Sequence, residues 1–366
     1  MKLTLASRGS SDNPKAWSGT PHALKEEFSK HEDIELKCIN WEMNKWILRI
    51  YHFIFRPYFF LYNSCREKWL RPFARYKVNT TLTSERDFTL FISDFILPKE
   101  KRESLFAVYT DSHVSQYLNY CKEDTRIGRQ YFLKDYNRIT KAQLEQMNIV
   151  FTQNEWTRQG FIKDYNLSPD KVINIGFGIN VKPYEGPKDY EKELLLIVLR
   201  KGTEYYKGLY LLLDAFKIVR SHRQQVRLAV VGTTMKETID GVDFYDNYPR
   251  TKTVELFQQC TLYTMPSLHE PNGITYLEAL ANKAPIMGLN RFAVPEFSGY
   301  GKWGFIAENE NPTEIAQVIE DALSDKNRLK EMGLKGQKFV INHYRWNIVV
   351  DKMIKEMRKS MNLNQI

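Results

Sequence analysis

Cysteine is scarce and scattered in this chain: Cys38, Cys65, Cys121 and Cys260 form no pair at CxxC spacing. That argues against a disulfide framework or a zinc site and predicts a reducing compartment. Long apolar runs are missing as well. The most apolar stretch, Trp46 to Tyr62, is broken by Arg49, His52, Arg56 and Pro57, short of the roughly 20 residues that a membrane-crossing helix needs. The N-terminus opens Met1-Lys-Leu-Thr-Leu-Ala-Ser-Arg-Gly, too short an apolar run for a signal peptide. A soluble or peripheral protein is expected. Acidic residues are outnumbered, 44 Asp and Glu against 53 Lys and Arg, for a net charge of +9. The excess calls for an anionic partner, whether nucleic acid, a membrane surface or a phosphorylated substrate. No group of Asp and His has metal-ligand spacing, and no internal repeat or low-complexity tract is visible.

What is present suits two α/β domains. The 366 residues are 43% hydrophobic, ample for two cores. A strand at Leu3–Ala6 leads through a polar, Gly-containing loop to a helical pattern at Ala23, Leu24 and Phe28. Strand, glycine loop, helix is the opening unit of a nucleotide-binding α/β domain. Further strands are predicted at Glu35–Trp41, Phe88–Ile92, Leu105–Thr110, Asn148–Gln153 and Lys171–Gly176. Residues 183–191, with two prolines and a glycine, read as a linker. The pattern then restarts with strands at Leu194–Leu199, Arg227–Gly232, Leu262–Pro266, Ala284–Gly288 and Gly304–Ala307, with helices at Gly208–Val219 and Ile274–Asn282. The remainder is helical to Met361. Short apolar strands alternating with helices predict parallel sheets covered on both faces.

The strongest local signal runs from Pro266 to Ile286. A strand ends near Met265, a loop carries Glu270, and Gly273 opens a helix. The N–H groups of Gly273, Ile274 and Thr275 then point out of that helix N-terminus and, with the helix dipole, make an anion site suited to a diphosphate. Glu278 lies in the same helix about 7 Å further along the axis. Both carboxylates can accept hydrogen bonds from sugar hydroxyls; both can equally be ordinary helix carboxylates.

This segment resembles the C-terminal signature of glycosyltransferase family 4, two glutamates separated by seven residues in an E-P-x-G-hydrophobic-x-x-x-E-A frame. Glu270, Pro271, Gly273, Glu278 and Ala279 match, followed by Ala284-Pro285. Val198-Leu199-Arg200 and Lys207-Gly208-Leu209 are similar to the family's strand-end Arg and its Lys-Gly pair, which hold the donor diphosphate. Trp17-Ser18-Gly19-Thr20-Pro21 looks like the W-S-G-T-P loop of one branch, whose glycine backbone faces the phosphates. Phe151-Thr-Gln-Asn-Glu-Trp-Thr157 resembles the entry to the last helix of the first domain. Gly176-Phe177-Gly178-Ile179-Asn180 resembles the G-x-N hinge segment, with Phe177 in place of the common proline.

The resemblance implies a GT-B fold: two Rossmann-like domains facing each other across a cleft, residues 1–182 for the acceptor and 192–343 for the donor. A C-terminal helix, 344–366, would return to the first domain. It implies a retaining, metal-independent hexosyltransferase taking a nucleoside diphosphate sugar as substrate, with no resident cofactor. Arg200, Lys207, Gly273, Ile274, Thr275, Gly19 and Gly178 would bind the donor, Glu270 the sugar ring, and Glu278 the ribose or a neighbouring hydroxyl. Where many members carry a His near the sugar, this chain reads Tyr109-Thr110-Asp111-Ser112-His113. Asp111 takes the aligned place and is favoured at the catalytic centre, with His113 as the alternative. Other GT-B enzymes, such as a sugar-nucleotide epimerase or a phosphorylase, and a non-catalytic subunit of a transferase complex are the competing readings.

Residues 45–77 hold eight basic residues against one acidic residue, Glu67, interleaved with eleven aromatics. The composition reads as a segment lying on an anionic membrane; a buried helix with a cationic face and a groove for an anionic glycan are the alternatives. No nucleic-acid motif accompanies the charge. A glycan or lipid-linked acceptor, in polysaccharide or glycolipid synthesis at the cytoplasmic face of a membrane, is the expectation.

Overall fold

The computed structural model describes residues 1–14, 16–41, 45–55, 72, 75–76, 78–79, 88–98, 104–113, 115–116 and 137–363. Much of the basic aromatic stretch, residues 56–71, 73, 74 and 77, lies outside the described residues. The chain divides into two compact units, Met1–Gly178 with Trp346–Ile366, and Ile179–Arg345.

The first unit contains strands β1 (Lys2–Ser7), β2 (Glu35–Asn40), β3 (Phe88–Ile92), β4 (Leu105–Thr110), β5 (Ile149–Thr152) and β6 (Val172–Asn174). They pair in parallel in the order β2-β1-β3-β4-β5-β6. Helices α1 (Thr20–Phe28), α2 (Lys45–Phe55) and α3 (Glu155–Tyr165) belong to the same unit. Strand β3, Phe-Thr-Leu-Phe-Ile, is buried along its whole length, as a strand covered on both faces must be. Phe91, Phe106, Val108, Val150, Phe161 and Tyr165 share its core. Helix α3 starts where the Asn154 side chain accepts from the Thr157 N–H at 2.8 Å, satisfying one of the orphan donors of the first turn.

The second unit contains β7 (Leu194–Val198), α4 (Leu209–His222), β8 (Arg227–Val231), β9 (Val242–Tyr245), α5 (Arg250–Gln259) and β10 (Leu262–Thr264). It continues with α6 (Ile274–Ala281), β11 (Ile286–Leu289), α7 (Val294–Phe297), β12 (Gly304–Ala307), α8 (Pro312–Ser324) and α9 (Lys326–His343). Its sheet is also parallel, in the order β12-β11-β10-β7-β8-β9. Taken from the other edge this is the doubly wound 3-2-1-4-5-6 order, which reverses between β7 and β10. Ligands of such sheets sit outside the carboxyl ends of the strands at that reversal.

The last helix, α10 (Trp346–Leu363), buries Trp346, Val349, Val350, Met353, Ile354 and Met357, an i, i+3, i+4, i+7 stripe. It packs on α1 and β5 and so completes the first unit. Residues 183–191, expected as a linker, are fastened to the second unit. The Tyr184 N–H donates to the Ala281 carbonyl at 3.0 Å. Lys188 Nζ donates to the carbonyls of Phe257, Gln258 and Asn282 at 2.9–3.0 Å. Strand β9 has no counterpart in the sequence prediction. Its four residues, Val-Asp-Phe-Tyr, are all only half-buried at the sheet edge, so no apolar run marks it; Asp243 is instead held by Arg227 across the strand pair.

Candidate functional site

The reversal point of the second sheet is bounded by the loops that follow β7 and β10, and most of the residues singled out in the second half stand there. The β7 chain leaves the sheet at Leu199, whose N–H still donates to Val231, and exposes Arg200. A tight turn follows, closed by Thr203 Oγ1 to the Arg200 carbonyl at 2.6 Å and by the Lys207 N–H to the Thr203 carbonyl at 2.8 Å. Gly208 ends it at φ +72°, and a Cβ there would lie 1.9 Å from the Pro266 carbonyl oxygen. Only glycine lets the two loops approach this closely. The Tyr206 carbonyl then accepts from the N–H groups of both Leu268 (2.9 Å) and His269 (3.0 Å). The Lys207 turn and the Glu270 loop are thereby fixed to each other.

That junction brings Lys207, Glu270 and Gly273 together. Lys207 Nζ is ion-paired with Glu270 Oε2, each side chain 18% exposed. Glu270 Oε1 accepts from the Gly273 N–H at 2.9 Å. Gly273 caps α6 at φ +67°, with the Tyr276 ring 2.5 Å from where its Cβ would be. Burial, and then the Arg200 charge, push Lys207 down to about 8; contact with the Glu270 carboxylate opposes both and favours the ammonium form. At the α6 N-terminus, Thr275 Oγ1 accepts from the buried Tyr263 hydroxyl at 2.8 Å. The Ile274 and Thr275 N–H groups belong to the first turn, which has no intrahelical acceptor for them. A lysine, an exposed arginine and the N-terminus of a helix at a sheet reversal make a site for a polyvalent anion.

Glu278 stands apart from this cluster. It is buried in α6 and accepts from Arg250 Nη2 at 2.8 Å. Burial raises its carboxyl, and the Arg250 charge works against that rise. Arg250, the first residue of α5, escaped sequence reasoning: a lone basic residue after Tyr248-Pro249 carries no motif.

In the first unit, the Trp17-Ser18-Gly19 turn ends at α1 with three consecutive left-handed residues, φ 39°, 58° and 86°. For Trp17 and Ser18 this is strained backbone of the kind that clusters at binding sites. The Trp17 ring meets the edge of Tyr109 at 6.3 Å, and the Tyr109 hydroxyl donates to the Gly176 carbonyl at 3.0 Å. Asp111 follows β4 directly, half-buried, with its carboxylate accepting from the Ser112 hydroxyl at 3.2 Å. Burial, with the Asp94 charge adding to it, holds that carboxyl above its ordinary range.

His113 sits differently, buried against the rings of Phe161 (4.7 Å) and Tyr165 (4.9 Å). Its Nδ1 accepts from the Gln116 N–H at 3.2 Å, and Nε2 lies 3.6 Å from Asp164. Burial pushes it down to about 4, so it is a neutral core histidine under α3. Gly178 is buried against the indole of Trp346, which a Cβ would meet at 2.2 Å. The position therefore has a packing reason to be glycine, at the start of α10.

Two parallel, doubly wound sheets of this kind define a GT-B fold of two Rossmann-like domains. Residues 184–339 match the family described as glycosyl transferases group 1. The alpha-maltose-1-phosphate synthase of Mycolicibacterium smegmatis is 26% identical over 117 residues, 30% of each chain. The capsular polysaccharide biosynthesis glycosyltransferase CapM of Staphylococcus aureus is 26% identical over 157 residues, 40% of this chain and 41% of that protein. These matches span less than half of the relatives' own lengths. The UDP-forming alpha,alpha-trehalose-phosphate synthase of Burkholderia vietnamiensis has the same fold, with a TM-score of 0.69 at 10% identity over 98% of this chain and all of that one. The sequence of residues 184–339 is thus similar to the group 1 glycosyl transferases, and the relatives support a glycosyltransferase family 4-like assignment.

Proposed function

We propose that this protein transfers a sugar from a nucleoside diphosphate sugar to an acceptor hydroxyl, with retention of the anomeric configuration and without a metal ion. The observation that carries the reading is the junction of Lys207, Glu270 and the α6 N-terminus at the reversal of the second sheet. Lys207 and Arg200, with the N–H groups of Gly273, Ile274 and Thr275, take the diphosphate and stabilise the charge that develops on it as it leaves. Glu270 turns to the sugar hydroxyls, and Glu278 to the ribose. Gly19 offers backbone N–H groups to phosphate. Asp111 rather than His113 is the catalytic-centre residue, because Asp111 is only half-buried at a strand end whereas His113 is enclosed by Phe161 and Tyr165.

Among the described residues no three His, Cys, Asp or Glu side chains cluster as a metal site, and the protein's own cations supply the positive charge next to the phosphates. The acceptor is a glycan or lipid-linked sugar in cell-surface polysaccharide or glycolipid synthesis, reached from the cytoplasm at the inner face of a membrane through residues 45–77. The test is a panel of UDP- and GDP-sugars incubated with the purified protein. Release of diphosphate from one of them, and proton NMR of the first product showing the donor's anomeric configuration, are expected. No release from any donor, or the opposite anomer, overturns the reading.

A further inference from the structure

Helix α2 displays an apolar face to solvent. Trp46 is 68% exposed, Ile50 59%, Phe53 86% and Ile54 52%. Their spacing, i, i+4, i+7, i+8, gathers them in an arc of about 100° on one side of the helix. A helix of a globular protein ordinarily turns such an arc inward, and a contiguous exposed apolar patch marks an interaction surface. The arc is bordered by positive charge: the Arg49 guanidinium lies over the Trp46 ring, 5.3 Å from its centre. The α2 sequence, Lys-Trp-Ile-Leu-Arg-Ile-Tyr-His-Phe-Ile-Phe, has two basic residues and no acidic one. Eleven residues span about 16 Å, roughly half the thickness of a hydrocarbon core. Among the described residues no helix is long and apolar enough to cross a membrane.

We propose that α2 is an in-plane anchor that seats Trp46, Ile50, Phe53 and Ile54 at the headgroup boundary of an anionic bilayer, with Arg49 at the level of the lipid phosphates. Charge complementarity selects this occupant. An apolar arc edged by a cation, with a tryptophan at its end and no acidic residue in the helix, matches the two layers of an acidic lipid surface. The inference deepens the membrane part of the reading above and is independent of its transferase part.

The test is flotation of the full-length protein with vesicles of phosphatidylcholine alone, or of phosphatidylcholine with phosphatidylglycerol, at low and high salt. The wild type is expected to float with the anionic vesicles and to be partly released as salt rises. The double change Phe53→Ser and Ile54→Ser leaves the charge unaltered and should lower partitioning at least about tenfold even at low salt, because apolar insertion is lost. Arg49→Glu should lower it most at low salt. All these side chains are exposed, so the melting temperature and nucleotide-sugar hydrolysis of each variant should match wild type, and loss of flotation alone is the signature. Wild type that never floats, or serine variants that float as well as wild type, overturns the proposal. So does a wild-type dimer in sedimentation velocity that the serine changes convert to monomer, since a second copy then covers the face.

Discussion

Glu270 engages two groups at once: Lys207 through one carboxylate oxygen and the Gly273 N–H through the other. Both are groups that the proposed reaction needs for the diphosphate. A diphosphate must therefore displace the carboxylate before it can bind, and removing the carboxylate should help it. A half-buried ion pair contributes up to about 1 kcal/mol, and a hydrogen bond to a charged group about 1.5–3 kcal/mol. Rehydration of the displaced carboxylate returns part of this. The remainder, about 1–2 kcal/mol, predicts that free UDP or GDP, whichever matches the donor, binds 5–30-fold more tightly to Glu270→Ala than to wild type. Glu270→Gln should gain less, because its amide oxygen can still accept from Gly273. Turnover should move the other way and fall more than tenfold, a loss above about 1.4 kcal/mol, since the contact to the sugar is gone. Calorimetry at pH 7 and fixed salt reads the first effect and initial rates the second. The pH dependence adds a check with a definite sign. Lys207 must be an ammonium ion to hold phosphate, so binding falls as pH rises through its value. Burial and then the Arg200 charge push the lysine down to about 8, so in wild type the fall should centre near there. Unchanged or weaker diphosphate binding in both variants refutes the displacement argument.

Lys207→Ala should weaken diphosphate binding about tenfold or more and Arg200→Ala only a few-fold, because the arginine is exposed and screened; unchanged affinity in both, again by calorimetry, removes the clamp. Transfer should survive excess EDTA, and complete loss restored by Mg²⁺ or Mn²⁺ would show a metal-dependent mechanism. Gly208→Ala combines a left-handed backbone with a Cβ thrust against the Pro266 carbonyl. A cost of roughly 2–3 kcal/mol should lower the melting temperature by about 4–12 °C in a unit of this size; a melting curve that matches wild type would mean the two loops are not held in contact.

The strands that stand out most plainly in the sequence are those whose environment is uniform. Leu194–Val198 and Phe88–Ile92 are buried on both faces almost throughout, so all their residues but Thr89 are apolar and the run announces itself. Val242–Tyr245 lies at the edge of its sheet, where Asp243 is as welcome as Phe244, and it leaves no such trace. The same logic separates Asp111 from His113. Both follow β4 within three residues and both suit a catalytic centre by residue type. What distinguishes them is that α3, more than forty positions later, places Phe161 and Tyr165 against the imidazole. Gly178 is named for donor binding only through its resemblance to a hinge segment, and its packing against the indole of Trp346, from the far end of the chain, leaves no trace in the local sequence.

The candidate site itself was legible only in halves. The Glu270 to Glu278 segment carries its own signals, a glycine before a helix and carboxylates at fixed spacing, because those features act within one loop and one helix. Arg200 and Lys207 carry almost none, being two of 53 basic residues. They come to the candidate site because strand order reverses between β7 and β10, which sets the two loops side by side although more than fifty residues separate them. The contact that enforces this is between main chains: the Tyr206 carbonyl to Leu268 and His269, and the Pro266 carbonyl over Gly208. Backbone groups have no identity in a sequence, so the one residue that betrays the junction is Gly208, by lacking the Cβ that would prevent it. The partner of Glu278 was hidden for the same reason. Arg250 reaches the buried carboxylate from the start of α5, and neither residue type nor spacing in the chain foretells that meeting.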